Sequence, residues 1–460
     1  ESLYATQFKN LPIGQMEEKF ADYGEVQIKQ LNDRSKMYYT PNKENNVFQL
    51  VVQYGAGERE FPKLGYAAQL MNNAGIMGAY EPQELKEELS KLNATCHVTA
   101  DDDNLYIIME GYEATLPQAC QLLSRQILMP KLDEKQLARL KGSAMGMRQQ
   151  RKDNVSILNE ALRQYMLYGE KSDYIKELTD KEIYELQISE LTGDINRASN
   201  YEAKVFFTGT LPFDQVYDIL SKNLPLVANE RPSNSPQAKD MMPVTENTVY
   251  FLPNNDAEQA QIHLYIPMQK ADKKDDVLRS AFNQYFGLDF TGIVLNEIRE
   301  KRSMAYTAYA FVGTQGIAGK ASYLRGYIGT QNDKANDALD VLMGLVNDMP
   351  KNPERIDNIK SYLRQAMLTS HPSFRNKAME LVDLGYRGYT DDPAKENLPK
   401  VDALTFDDIV KFYEENIKDK PYCISIMGNP KNIDLKRLEK FGKVVKLNER
   451  KLFNTKDALF

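Results

Sequence analysis

An internal repeat restricts the fold of this chain more than any other feature of its sequence. The segment Lys36–Asn42 is similar to Thr248–Asn254, and the prolines of the two segments, at positions 41 and 253, define an offset of 212 residues. Further matches follow at the same offset without a gap: Gln49 and Leu50 with Gln261 and Ile262, and Gly75 with Gly287. Such self-similarity is typical of a structural unit that occurs twice in one chain.

The parallel continues at slightly shifted offsets and defines the predicted domains. Helix-length segments end at Met129-Pro130 and at Met349-Pro350, and the apolar runs Val205–Gly209 and Ile424–Gly428 both close on glycine. We therefore predict a first repeat at residues 1–228, a linker at 229–246 and a second repeat at 247–460. The linker contains three prolines among Ser, Asn and Lys and has little periodicity, as an extended connection does.

The composition indicates a folded protein without a nucleic-acid or membrane-spanning role. The chain has 460 residues, of which 42% are hydrophobic and 27% charged, with 58 Lys and Arg against 65 Asp and Glu. No segment concentrates the basic residues as a phosphate backbone requires, so we expect no nucleic-acid partner. No run approaches the roughly 20 apolar residues of a membrane span. Because the chain begins with Glu1 and lacks the features of a signal peptide, we expect a trimmed or mature product.

Periodicity predicts an α+β fold in each repeat, with helices packed on one face of a mainly antiparallel sheet. The first repeat carries the clearest predicted elements: a buried strand at Phe48–Tyr54, a helix at Leu64–Asn73, a hairpin of Ala94–Ala100 and Leu105–Glu110, a helix capped by Thr115 that ends at Leu128, and a helix from Asp133 past Arg148.

Few residues are suited to metal binding or nucleophilic catalysis. The three histidines at positions 97, 263 and 371 are isolated, so no local pair can hold zinc, and the cysteines at 96, 120 and 423 form no Cys-x-x-Cys. We predict that the cysteines are small buried apolar residues. Asp101–Asp103 could supply oxygens to a hard cation, but a solvated hairpin turn is the favoured interpretation. Phosphate-loop and nucleophile-elbow motifs are absent from the sequence.

The second repeat carries the motif that suggests a family. Gln284–Gly287, followed by Ile293–Tyr309, resembles the glycine loop, helix and Arg…Ala-Tyr segment in the C-terminal half of pitrilysin or insulinase-type zinc peptidases. Ile328–Gln331 with Asp333 and Lys334 resembles the strand end and helix start that follow. The resemblance extends from about residue 47 to residue 441 and implies tandem α+β repeats.

The same resemblance implies that this chain is not the catalytic half. An active repeat carries His-x-x-Glu-His on its first helix, where the histidines hold zinc and the glutamate activates water. Here Ala68, Met71 and Asn72 stand at those positions, and Leu140–Arg148, where a further glutamate would complete the metal shell, contains no carboxylate. We expect no metal or cofactor in this chain and zinc in a partner half, which is either part of the same precursor or a separate chain.

Four residues become candidates for substrate binding through the resemblance. The inactive half of such enzymes uses an arginine and a tyrosine, seven residues apart, to contact substrate near the zinc, and the match here is Arg299 and Tyr306. Gly287 and Gly292 are the first and last residues of the loop that connects the preceding helix to the Arg299…Tyr306 segment. Within this loop, Leu288, Asp289 and Phe290 depart from the glycine-rich family pattern. The alternative is an arginine in a surface ion pair with Glu297 or Glu300, and a tyrosine packed on the sheet.

The sequence thus favours one function over two alternatives. We predict a non-catalytic half of a zinc metalloendopeptidase that binds extended peptide along a sheet edge, where main-chain hydrogen bonds give little sequence preference. The alternatives are a structural or interaction subunit that keeps the fold without proteolysis, and a stand-alone peptide-binding module. A periplasmic location is implied only by resemblance to secreted bacterial relatives.

Overall fold

The chain forms two six-stranded sheets, one from each half. The computed structural model describes residues 17–225, 230–287 and 291–456. The strands are β1 (Gln27–Gln30), β2 (Lys36–Pro41), β3 (Val47–Tyr54), β4 (Gly75–Ile76), β5 (Thr95–Ala100), β6 (Leu105–Tyr112), β7 (Pro130–Lys131), β8 (Ala203–Gly209), β9 (Thr248–Pro253), β10 (Gln259–Lys270), β11 (Ala305–Thr314), β12 (Ala321–Gln331), β13 (Cys423–Gly428) and β14 (Lys443–Lys446).

The helices follow the strands in two similar series. They are α1 (Leu64–Met71), α2 (Pro82–Lys91), α3 (Leu116–Leu128), α4 (Glu134–Gln149), α5 (Val155–Tyr168), α6 (Asp173–Lys176), α7 (Asp180–Tyr184), α8 (Ile188–Ala198), α9 (Phe213–Asn223), α10 (Asp276–Phe286), α11 (Ile293–Leu295), α12 (Ala335–Asn347), α13 (Ile356–Thr369), α14 (Lys377–Tyr386), α15 (Pro393–Ala403), α16 (Phe406–Asn416) and α17 (Leu435–Leu438). Within the described parts of the chain, none of these helices is both long enough and apolar enough to cross a membrane.

Five of the six strands have the same order and directions in the two sheets, and this arrangement confirms the predicted fold class. The strand order is β1-β2-β8-β3-β6-β5 in the first sheet and β14-β9-β13-β10-β12-β11 in the second. The pairs β2·β8 and β9·β13 are parallel, and their registers match because Pro41 lies opposite Gly209 and Pro253 opposite Gly428. The copies differ at one edge, where β1 precedes β2 and pairs with it antiparallel, whereas β14 follows later in the chain and runs parallel to β9.

Alternating burial along the strands places a hydrophobic core beneath one face of each sheet. In β6 every second residue from Leu105 to Met109 is buried, as expected of a strand with one face on a core. The first core joins such residues to helices α1, α3 and α8, and the second joins β10 and β12 to α10, α12 and α16. The predicted hairpin at Asp101–Asn104 is confirmed. Thr115 does occupy the N-cap of α3, but its hydroxyl donates to the carbonyls of Leu92 and Tyr112 instead of capping the helix.

Each half also places a helix on the second face of the other half's sheet. Leu158 and Leu162 of α5 pack against Leu252 and Met427 of the second sheet. Reciprocally, Ala378 of α14 is buried against the first sheet in a cluster with Val26, Val51 and Phe206. The sequence does not predict this exchange, because the apolar face of an amphipathic helix does not show which sheet it covers.

His263 lies where α5 meets the second sheet. The imidazole is buried, and its Nε2 atom is 3.0 Å from the side-chain oxygen of Asn159 on α5. Burial, together with the positive charges of Arg325 and Arg163, lowers the pKa of His263 to about 3. The protein therefore holds a neutral histidine at this interface near neutral pH.

We expect His263 to weaken the fold in mild acid. The unfolded chain takes up a proton on this residue near pH 6.5 whereas the folded chain does not, so the free energy of unfolding should fall as pH drops below 6.5. By pH 5 the loss should be about 2 kcal/mol relative to a His263→Gln variant, measured by urea denaturation. His97→Gln is the matched control because His97 is exposed on β5. This variant should lose stability as the pH falls, to the same extent as the wild type. If the free energy of unfolding changed with pH in the same way for wild type and His263→Gln, the expectation would be contradicted.

Candidate functional site

The segment from Arg299 to Tyr306 has an irregular backbone. After one turn of α11 the chain forms a π-helical turn at Asn296–Glu300, closed by a 2.9 Å hydrogen bond from the Lys301 amide to the Asn296 carbonyl. Ser303 then has a φ of 50°, which is uncommon outside glycine. The register with β12 shifts between Ala305 and Thr307, so Tyr306 is the extra residue of a β-bulge. π-turns and bulges both occur frequently at functional sites because they redirect side chains.

Arg299 is left largely available by its acidic neighbours. Its side chain is 43% exposed, and its Nε atom lies 3.6 Å from Glu300, which is too far for a hydrogen bond. Glu297 instead accepts hydrogen bonds from Arg302 and Lys301 at 2.5 and 2.6 Å, and these bonds lower the pKa of its carboxyl group. Glu297 is therefore paired with other residues, whereas the surface ion pair with Glu300 that the alternative interpretation named is present as a loose contact.

Tyr306 projects into solvent. Its side chain is 80% exposed, more than any other large hydrophobic residue in the described chain. A tyrosine packed on the sheet, as in the alternative interpretation, would be buried. The phenol is therefore accessible to a partner or substrate at the start of β11, seven residues after Arg299.

Gly287 and Gly292 are both in close contact with neighbouring parts of the fold. The carbonyl of Gly287 accepts a 3.0 Å hydrogen bond from the Ala310 amide of β11, and a Cβ atom here would lie 3.0 Å from the backbone of Ala310 and from Val294. Gly292 is buried at the N-cap of α11. Leu288–Phe290 lie outside the described residues. Substrate contact by these glycines stays a prediction.

The three positions predicted to correspond to metal ligands do not fit zinc. Ala68 and Met71 are each 1% exposed and belong to the first core. Asn72 uses both atoms of its amide on the backbone of Val98: its oxygen accepts from the amide at 2.8 Å, and its nitrogen donates to the carbonyl at 2.9 Å. Among residues 17–225, 230–287 and 291–456, no group of three or more His, Cys, Asp or Glu could hold a metal ion.

The second repeat contains a similar asparagine contact. The side-chain oxygen of Asn283 accepts from the amide of Val312 at 2.6 Å, and its nitrogen donates to the Val312 carbonyl at 3.0 Å. Val98 and Val312 lie in β5 and β11, the outermost strands at one end of each sheet. A peptide that added to either edge at these residues would have to displace the asparagine. The sequence did not indicate this, since an asparagine side chain has many possible partners.

A cavity of about 590 Å³ lies beside Asn72. Met71, Leu85, Leu89 and Cys96 contribute to its mainly apolar wall. Burial raises the pKa of the Cys96 thiol to about 12, so it is protonated and a poor nucleophile. All three cysteines are free; those at 120 and 423 are buried as predicted and the one at 96 is half-buried.

The remaining candidates for chemistry have ordinary structural partners. Arg59 binds Asp102 at 2.9 Å and Asp103 at 2.5 Å, and the Asp101 carboxylate accepts the backbone amides of Asp103 and Asn104. The acidic turn is thus satisfied by protein donors. His371 follows the end of α13.

Comparison with solved structures identifies the fold. The peptidase M16 inactive domain of Pseudomonas fluorescens superposes with a TM-score of 0.68 at 17% identity, covering 89% of this chain and 99% of that one. The ferredoxin protease FusC, in complex with Arabidopsis ferredoxin, gives 0.69 at 12% identity over 90% of this chain and 46% of that one. The periplasmic protease PqqL of Escherichia coli gives 0.66 at 12% identity, over 92% and 50% respectively. The fold is thus that of M16 peptidases, and this chain spans about half the length of the two proteases.

The family comparison agrees with the fold. Residues 199–363 match a family described as the peptidase M16 inactive domain. A comparison with curated proteins gives no significant match. The chain thus resembles the non-catalytic half of a pitrilysin-like M16 peptidase, as the Arg299…Tyr306 segment predicted.

Proposed function

We propose that this chain binds peptide and completes the active site of a zinc-bearing M16 half. The observation that carries the proposal is the accessibility of Arg299 and Tyr306 on one irregular segment, where Tyr306 is largely exposed and Arg299 makes only a loose, exposed ion pair with Glu300. The match of residues 199–363 to an inactive M16 domain supports the existence of a catalytic counterpart.

The two side chains suit a role in peptide hydrolysis. The guanidinium and the phenol can both donate hydrogen bonds to a peptide carbonyl oxygen. Attack on a peptide carbonyl places negative charge on its oxygen, and fixed donors that meet this charge lower the barrier. Zinc and the water-activating glutamate would come from the His-x-x-Glu-His half, whereas this chain would supply donors and substrate contacts.

The comparisons also support proposals about substrate and compartment. FusC is described with a ferredoxin, which suggests a protein or peptide substrate for the present chain as well. PqqL is described as periplasmic, which supports the predicted periplasmic location. The active half could be part of the same precursor or a separate chain.

One observation favours the second candidate, a structural or interaction subunit. Asn72 and Asn283 occupy the backbone of β5 and β11, so the edges at which a peptide could add as a strand are occupied at Val98 and Val312. A subunit that had only a structural role would not need an open edge.

Reconstitution separates the two candidates. The chain should show no peptide hydrolysis and no stoichiometric zinc by itself, but should give zinc-dependent cleavage when mixed with an M16 half that carries His-x-x-Glu-His. The same half mixed with an unrelated protein is the control. Association without any gain in cleavage would support the structural role and contradict the proposal, and cleavage by this chain alone would show that the assignment of Ala68, Met71 and Asn72 is wrong.

A further inference from the structure

A row of aromatic side chains lies on the second face of the second sheet. Tyr309 and Phe311 of β11 are on this face, and in the pairing with β12 they lie opposite Tyr327 and Arg325. The ring centroids of Tyr309 are 5.9 Å from Phe311 and 5.3 Å from Tyr327. All three rings are half-buried. We call Tyr309, Phe311 and Tyr327 the aromatic row.

The neighbouring parts of this sheet face are covered by other segments. Helix α5 packs on β10 and β13, as described above. At the far end of the strands the linker crosses the face, where the Met242 carbonyl accepts from the Tyr265 hydroxyl at 3.2 Å and the Lys239 carbonyl from the Gln315 amide at 2.5 Å. The aromatic row lies between these covered regions and the exposed Tyr306.

Arg325 adds a positive charge to this surface, which Glu160 of α5 offsets only in part. Within the described chain it makes no ion pair or hydrogen bond, and its Nε atom is buried without a partner. The nearest acidic residue on α5, Glu160, is already bound by Arg163, whose Nε donates to it at 2.7 Å. Glu160, Arg163 and Arg325 together carry a net charge of +1. A guanidinium that is half-buried beside aromatic rings and lacks a carboxylate partner is suited to bind one from a ligand.

We propose that the aromatic row and Arg325 bind an extended polypeptide segment with an acidic side chain, and that Arg325 receives its carboxylate. The inference rests on the proposed peptide-binding function and names the class of substrate. Phe311, opposite Arg325, is five residues from Tyr306, which is about 17 Å along a strand. A peptide lying on this face thus spans the distance from Arg325 to Tyr306 with about five extended residues. Arg325 therefore selects for an acidic residue about five positions away from the peptide residue that contacts Tyr306.

The occupant is a flexible chain and not a folded surface, because of the shape of the site. The surface is a narrow strip of two strands between α5, the linker and the bulge at Tyr306. Aromatic rings along such a strip contact side chains of any apolar type, whereas the single guanidinium supplies charge selectivity. Electrostatic complementarity of this kind affects specificity more than total affinity.

Binding of two labelled peptides to the complete chain tests the proposal. Both are unstructured 12-residue peptides with leucine and phenylalanine near one central position, which is Glu in one peptide and Gln in the other. Fluorescence anisotropy at low salt should show the Glu peptide binding about 5-fold more tightly, since one ion pair separates them. The difference should shrink at high salt, where charges are screened.

Variants assign the effect to particular residues. Arg325→Gln should abolish the preference for the Glu peptide, and Arg325→Lys should retain part of it. Phe311→Ala should weaken the binding of both peptides equally. Arg139→Gln is the matched control, because Arg139 is exposed on α4 in the other half, and it should change neither affinity. Thermal unfolding and circular dichroism identify any variant that fails to fold.

Three outcomes overturn the inference in different ways. If peptides bind but Arg325→Gln keeps the preference for Glu, the acidic class is wrong while the proposed peptide-binding function stands. If neither peptide binds wild-type protein at millimolar concentration, the binding surface and the peptide-binding part of the proposed function both fail. Loss of binding only in Arg139→Gln would place the site in the other half.

Discussion

In the two-half enzyme proposed above, Arg299→Ala is expected to lower kcat about 100-fold. The expectation follows from the loss of one hydrogen-bond donor to the developing oxyanion, which typically costs two to three orders of magnitude. Tyr306→Phe should lower kcat about 10-fold or more, because it removes only the hydroxyl and leaves the ring in the bulge. KM should change little for Tyr306→Phe, since donors that act in the transition state contribute less to the ground state. Steady-state hydrolysis of a quenched fluorescent peptide measures both constants.

Matched variants show whether this effect is specific. Tyr362→Phe removes a hydroxyl from another exposed tyrosine on α13, and Arg139→Ala removes an exposed arginine on α4. Both should retain kcat within about 2-fold, because surface substitutions away from a site rarely have large effects. If Arg299→Ala and Tyr306→Phe behaved like these controls, the pair would have no role in turnover and the structural interpretation would be preferred.

The second large effect is expected from Gly287→Val, which should destabilise the protein by about 3 kcal/mol. The new Cβ would lie 3.0 Å from the amide nitrogen and the carbonyl oxygen of Ala310, and from the Cβ of Val294. Ala310 belongs to β11, which is paired with β12, so its backbone cannot move aside without breaking strand pairing. The branched side chain should therefore separate α10 from β11 and displace the segment that carries Arg299 and Tyr306. Denaturant unfolding and kcat in the assembled enzyme should both report the change.

Gly344 provides the control for this substitution. It lies within α12, and a Cβ atom there would meet nothing within 4 Å. Gly344→Ala should stabilise the protein by about 0.5 to 1 kcal/mol, because alanine is preferred over glycine in a helix. A Gly287→Val variant that was as stable as wild type would mean that the approach of α10 to β11 is looser than the structure shows.

The repeat in the sequence was sufficient to predict the architecture. Pro41 and Pro253, 212 residues apart, end equivalent strands, and Gly209 and Gly428 lie opposite them in the two sheets. This works because a strand with one buried face has a strongly determined register, so equivalent residues keep equivalent neighbours. The assignment of positions 68, 71 and 72 as lost metal ligands stays a prediction, which depends on side-chain chemistry alone.

Local backbone irregularity and long-range contacts were not predictable in the same way. Nothing in the residues around Tyr306 distinguishes a bulge from a regular strand, because one extra residue leaves the apolar pattern almost unchanged. The sequence placed Asn72 at a lost ligand position but did not show that its amide binds Val98, 26 residues away. Likewise, the outer faces that α5 and α14 cover depend on packing between halves, which periodicity along one segment does not report.

The reciprocal placement of α5 and α14 has a consequence for the history of such a chain. A freshly duplicated unit can normally be deleted again, because the remaining copy still folds by itself. Once each copy supplies a helix to the other's sheet, loss of either one strips apolar residues such as Phe206 or Met427 of their cover. The two copies are then inherited as a pair, and either can change other residues without becoming dispensable.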